Sequence, residues 1–355
     1  MTRQRVVLVY TPEGASEGFW LQDLLTEVGF DVVGCPSCGQ ARLPLGLASC
    51  ALGARLADLS AGFRAFALAR RGHAVVVGYE AMPALAAAAV PAIFKPPPVL
   101  ALNLRLSPVR GRRHRATRSV LLKAATSGKR CVITVNAPAY VEEYKATYQI
   151  GDQHLASIPD CWRRGWEEMR DDPWRPDKGY VFAGGIAARD WPTALAAAES
   201  LPHVPFVFVT PSGDDLGPQS LPVNVRVYHD TTTERFYALL SDARVVLSPL
   251  KETRAAGLSV LLVTAIIGRL SIATSTPATR NLIPETCHET LVPMGNHKAL
   301  AEAIARYWES PDLRCRLASQ VQEFVLSQRS PDFYASRVAE IVGRLAGSPD
   351  QGSNA

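Results

Sequence analysis

Residues Ala243–Asn281 read ARVVLSPL-KETRAAG-LSVLLVTAIIG-RLSIAT-STPATRN, and their order decides the fold. The first piece is a short apolar, β-branched run, the third an apolar stretch of helical length, the fourth a second short apolar run. Strand, turn, helix and strand in that order make a βαβ unit, which is built around parallel strands. The small-residue turn lets a ligand come close to the backbone. The helix that Gly257 opens offers the free amides and positive dipole end of Leu258, Ser259 and Val260 to an anion. The loop after Thr274, with Thr276, lies at the same sheet edge, where open α/β sheets bind their ligands. Gly257 and Ser259 equally fit a plainly capped, packed helix, so the residues alone leave both readings open.

Working outward, the same alternation covers almost the whole chain. Upstream lie strand-like Arg5–Tyr10, Phe30–Val33, Ala74–Val77, Pro97–Asn103, Cys131–Val135 and His154–Ile158. Helical segments are expected at Phe19–Val28, Ala48–Ala69, Arg115–Ala125 and Ala139–Thr147. A second series follows with strands at Tyr180–Ala183, Phe206–Thr210, Asn224–Tyr228, Arg244–Leu247 and Leu270–Thr274. Its helices are Trp191–Ser200, Thr232–Ser241, Gly257–Ile267 and Lys298–Glu309, then Pro311–Ser327 and Pro331–Leu345. Between the series, Pro159–Lys178 (PDCWRRGWEEMRDDPWRPDK) is charged, carries three Trp, and shows no strand pattern; it reads as a joining segment. We therefore expect an α/β protein of two Rossmann-like domains facing each other across a cleft. The first is 1–160, a linker 161–178, the second 179–328, a returning helix 329–347, and a polar tail 348–355.

Composition agrees with two packed domains: 355 residues, 47% hydrophobic and 20% charged. The net charge of +5 is mild, and the one dense basic run, Arg105–Arg118, has no interleaved aromatic, which argues against a nucleic-acid binder. The most apolar stretch, Ala255–Gly268, is 14 residues, short of the ~18 that a membrane span needs. MTRQRVVLVY runs directly into a strand with no cleavage signal, so a cytoplasmic protein is expected. Seven scattered cysteines suit reduced thiols, and Cys35-Pro-Ser-Cys38 lacks the second pair that a structural zinc needs. His229, at a strand end, reads as loop structure.

From Tyr180 to about Leu317 the chain resembles the C-terminal domain of the GT-B retaining glycosyltransferases of the large family 4, or group 1, type. Tyr180–Leu201 (YVFAGGIAARDWPTALAAAESL) is similar to the family's opening glycine strand, diphosphate-contacting turn and first helix. Val225–Ile283 resembles its donor-binding core, and Leu291–Leu317 its closing segment. The resemblance implies a soluble transferase moving a sugar from a nucleotide-sugar to an unidentified acceptor, with retention and with neither cofactor nor metal. It departs from the family at the paired glutamates, whose positions hold Ala255 and Val263, and at Gly185, where an arginine is common.

Within that resemblance, Arg189 and Arg254 are expected to neutralise the departing diphosphate, and Glu252 to stand in for a missing acid. Donor contacts are expected at Gly14, Gly184, Gly257, Leu258, Ser259, Val260, Thr274 and Thr276. Gly78, Tyr79 and Glu80 are expected on the acceptor side. Arg110, Arg112, Arg113 and Arg115 form a solvated face that also suits weak contact with an anionic membrane surface. Two other readings stay open: a non-catalytic GT-B-like partner subunit, and a sugar-nucleotide epimerase or hydrolase.

Overall fold

The computed structural model describes residues 3–10, 19–36, 51–79, 82–90, 94–104, 112–128, 130–186, 188–211, 216, 221–251 and 256–347. Side chains are described for all of these except 51–59, 82–83 and 112–118. The chain folds as two compact units, one reaching to Pro159 and resuming at Pro331, the other Asp160–Ser330.

The first unit is built on strands β1 (Arg5–Tyr10), β2 (Asp31–Pro36), β3 (Val75–Tyr79), β4 (Val99–Leu102), β5 (Cys131–Val135) and β6 (Leu155–Ser157). They form a parallel sheet in the order β2-β1-β3-β4-β5-β6. Helices α1 (Trp20–Glu27), α2 (Ala51–Gly72), α3 (Met82–Ala88), α4 (Arg112–Ala125) and α5 (Pro138–Tyr148) make the crossovers. The central strands are continuous apolar runs because helices cover both faces of such a sheet, and Val6–Val9 and Val75–Val77 are accordingly buried.

The second unit carries β7 (Val181–Gly184), β8 (Phe206–Thr210), β9 (Val225–His229), β10 (Val245–Ser248), β11 (Ser271–Thr274) and β12 (Leu291–Val292). Its parallel order is β12-β11-β10-β7-β8-β9, which reverses between β7 and β10. Its helices are α6 (Trp191–Glu199), α7 (Thr233–Ser241), α8 (Leu258–Ile266), α9 (Pro277–Leu282), α10 (His297–Glu309) and α11 (Pro311–Gln328). Side-chain caps set several starts: Asp190 accepts from Thr193 N at 3.2 Å, Thr232 from Arg235 N at 3.3 Å, and Asn296 from Ala299 N at 3.0 Å. One core cluster joins Phe182, Val207, Leu240, Val246, Val263 and Ile267. The last helix, α12 (Pro331–Gly347), packs within the first unit, where Tyr334 meets Trp20 of α1 with ring centroids 5.9 Å apart.

The stretch read as a joining segment is packed onto the second unit. Trp166 and Met169, in a 3-10 turn, lie against its core. Asp177 accepts from Arg244 at 2.9 Å and Arg314 at 3.4 Å, and Arg269 binds the carbonyls of Arg175 and Pro176, both at 3.1 Å. Its charge density is thus consumed by partners far away in sequence.

Candidate functional site at the strand reversal

The strand order reverses between β7 and β10, and ligands of such sheets bind at the carboxyl ends of the strands at that point. The turns that leave the two strands are tied together by their backbones. Asp190 N donates to Pro249 O at 3.0 Å and Lys251 N to Ala188 O at 3.0 Å. Arg189 sits between these bonds and is 4% exposed.

Its guanidinium has one described partner: Nη1 donates to Ser248 Oγ at 2.6 Å. Nε is buried with no acceptor. Among the described residues no carboxylate pairs with it, and burial alone pulls its pKa down to about 10. That value leaves the group cationic at neutral pH. A buried cation ordinarily has a counter-charge, and one with none among the described residues suits an anion.

Two glycines make the space. A Cβ at Gly257 would stand 2.7 Å from Nη1, and one at Gly185 would strike Nη2. Both have positive φ, +70° and +121°, so the backbone as well as the space calls for glycine. Gly257 is also the N-cap of α8, and no side chain caps that end. The opening amides of Leu258, Ser259 and Val260 therefore lie beside the cation. Ser259 is exposed, Val260 half-buried and Leu258 buried.

The remaining expected donor residues do different work. Thr274 Oγ1 accepts from Leu250 N at 2.8 Å. Thr276 caps α9, accepting from Thr279 N at 3.1 Å, while Thr279 Oγ1 donates to Thr274 O at 2.7 Å. These hydroxyls hold the loop backbone in place. At Gly184 an added Cβ would meet Phe236 at 2.6 Å and Phe182 at 2.7 Å, so that glycine serves packing against the aromatic core. Val263, matched to the family's second glutamate, is 1% exposed inside the core cluster.

Ser248 was missed in the sequence; the one signal was a polar residue at the carboxyl end of the apolar run ARVVLS. In the first unit, Gly78 and Tyr79 close β3, and Val9 pairs with Gly78. Gly14, Glu80, Arg110, Glu252, Arg254 and Ala255 lie outside the described residues, as do the side chains of Arg112, Arg113 and Arg115 in α4. His229 meets Thr210 Oγ1 through Nδ1 at 2.8 Å, joining the ends of β8 and β9. Among the described residues no group of three or more His, Cys, Asp or Glu is placed to hold a metal ion, and no helix is long and apolar enough to cross a membrane.

No protein-family model matches the chain, and no curated protein matches it. Solved structures do. A glycosyltransferase from Rickettsia africae ESF-5 is similar with a TM-score of 0.70 at 13% identity, over 98% of this chain and 100% of that one. Sucrose-phosphate synthase from Thermosynechococcus elongatus gives 0.71 at 16%, over 97% and 99%. HepE from Anabaena, solved with UDP, gives 0.67 at 14%, over 95% and 99%. At these identities the likeness establishes the fold: two Rossmann-like domains of the GT-B type.

Proposed function

We propose that this chain is a glycosyltransferase that moves a sugar from a nucleotide-activated donor, with the donor's diphosphate held by Arg189 and the opening amides of α8. The observation that carries the reading is the buried Arg189 guanidinium, hydrogen-bonded to Ser248 and facing no carboxylate among the described residues. HepE, of the same fold, has been solved with UDP and with UDP and glucose, which supports a nucleotide-sugar donor here.

As the bond from the sugar's anomeric carbon to the diphosphate breaks, negative charge gathers on the phosphate oxygens. A planar guanidinium meets two such oxygens at once, and the α8 dipole adds to it. With this positive charge supplied by the chain, transfer proceeds without a metal. In this reading the acceptor hydroxyl gives its proton to the departing phosphate on the same face of the sugar as its new bond to the anomeric carbon forms, which retains the anomeric configuration. Arg254 is assigned to the second phosphate and Glu252 to the donor sugar's hydroxyls.

The test is titration calorimetry with UDP, GDP, ADP and dTDP. One should bind, and Arg189→Ala should weaken it about 30-fold or more, the ~2 kcal/mol or more of a lost charged contact. Binding of none of them would favour the non-catalytic subunit. Contact of Arg110, Arg112, Arg113 and Arg115 with a membrane is tested separately, by sedimentation with anionic liposomes at low salt. There the four-alanine variant should stay in solution.

A further inference from the structure

We infer that the first unit docks flat on an anionic lipid bilayer through the face formed by α2, α3 and α4. The inference stands apart from the donor reading. It widens the contact expected of Arg110, Arg112, Arg113 and Arg115 into a face whose apolar side chains enter the lipid.

Between Asp58 and Glu142 the sequence holds thirteen Lys and Arg and a single acid, Glu80, although the whole chain carries only +5. The rest of the chain is therefore net acidic. Helix stability does not account for this. A helix dipole favours acids in the first turn, and α1, α7, α11 and α12 each have one there. None of α2, α3 and α4 does, and α4 opens on Arg112, Arg113 and Arg115, against its dipole.

The fold gathers this segment on one side. From β2 to β3, β3 to β4 and β4 to β5 the chain steps in one direction across the sheet. Right-handed crossovers therefore place α2, α3 and α4 on the same face, and α3 packs against both neighbours. Helix α1 steps the other way and covers the opposite face. Near the C-terminal ends of the three helices, Arg70, Arg71, Lys95 and Lys123 are exposed.

Apolar side chains stand among these cations. Phe63 and Leu68 of α2 are 62% and 39% exposed, Phe94 ahead of β4 is 48%, and Val120 of α4 is 67%. That mixture suits a lipid interface. Rings and methyls enter the boundary between headgroups and acyl chains, while long cationic stems keep their charge at the headgroups. A nucleic acid is met instead by flat rings and hydrogen bonds to its bases, for which Leu68 and Val120 offer nothing. The surface is also broad: α2, of 22 residues, runs ~33 Å along it.

The experiment is co-sedimentation of the full chain with vesicles of phosphatidylcholine alone, and of phosphatidylcholine mixed with phosphatidylglycerol. The chain should sediment only with the mixed vesicles, and added salt should release it. Lys95→Gln with Lys123→Gln should weaken binding about 25-fold, at about fivefold per cation. Phe94→Ser with Val120→Ser should weaken it about tenfold. Both double variants should unfold in urea as the wild type does, because all four side chains are exposed. No sedimentation with mixed vesicles, undiminished sedimentation of either double variant, or tighter binding to poly(U) RNA than to the mixed vesicles would overturn the inference. So would a loss confined to the variant with Arg110, Arg112, Arg113 and Arg115 replaced, which would leave only the contact expected from the sequence.

Discussion

Arg189 Nη1 donates to Ser248 Oγ at 2.6 Å, joining the turn after β7 to the last residue of β10 across the strand reversal. Ser248 is fully buried and is the one described residue that orients the cation. Ser248→Ala should therefore weaken nucleotide binding by about fivefold to tenfold, the ~1 to 1.5 kcal/mol of one hydrogen bond. The loss should be smaller than that of Arg189→Ala. Calorimetry on both variants checks the order, and an unchanged affinity in Ser248→Ala would mean that the arginine is positioned by something else.

Gly257→Ala separates the two demands on that glycine. Its φ of +70° makes any side chain cost about 1–2 kcal/mol, and the new Cβ would also push on Nη1. Gly295 is the control, with φ +68° and nothing within 4 Å of an added Cβ. Both alanine variants should lose similar stability in urea titrations. Nucleotide affinity should fall only in Gly257→Ala; equal affinities would show that Gly257 does not shape the arginine's site.

Restoring the family acid at position 263 should not restore a ligand contact. Val263 packs with Phe182, Val246 and Ile267 in the core. Val263→Glu would bury an unpaired carboxyl and cost about 3 kcal/mol or more. A variant as stable as the wild type, with tighter donor binding, would mean that this side chain reaches the ribose after all.

Thr276→Val tests whether the loop threonines are structural. The hydroxyl caps α9, so its loss should cost about 1–2 kcal/mol of stability. Nucleotide affinity should hold. A large drop in affinity with stability unchanged would return Thr276 to direct contact with the donor.

The parallel strands were legible because both of their faces are covered, leaving uninterrupted apolar runs such as VVLS and SIAT. Helix α8 was legible for the same reason. The short α3 and α9, of 7 and 6 residues, were not, because neither is long enough to show a helical period. Arg189 was suggested by resemblance, but its burial was not foreseeable. Gly185, Ser248 and Gly257, which surround it, are brought together only by the order of the strands. How Pro159–Lys178 packs was not legible because the partners of Asp177, Arg244 and Arg314, lie 67 and 137 positions away.

Arg189 is charged and pairs with no carboxylate among the described residues; held so for a diphosphate, it should cost stability when no ligand is present. Arg189→Met keeps the length of the side chain and removes the charge, and its Tm with and without saturating nucleotide is the most direct measurement. Removing a buried charge relieves its desolvation penalty, several kcal/mol for an ion that no counter-charge compensates. The variant's Tm without ligand should therefore equal or exceed that of the wild type, and its rise on adding nucleotide should vanish. A ligand-free Tm several degrees lower than the wild type's, with the nucleotide-induced rise intact, would make Arg189 a structural residue and contradict the account.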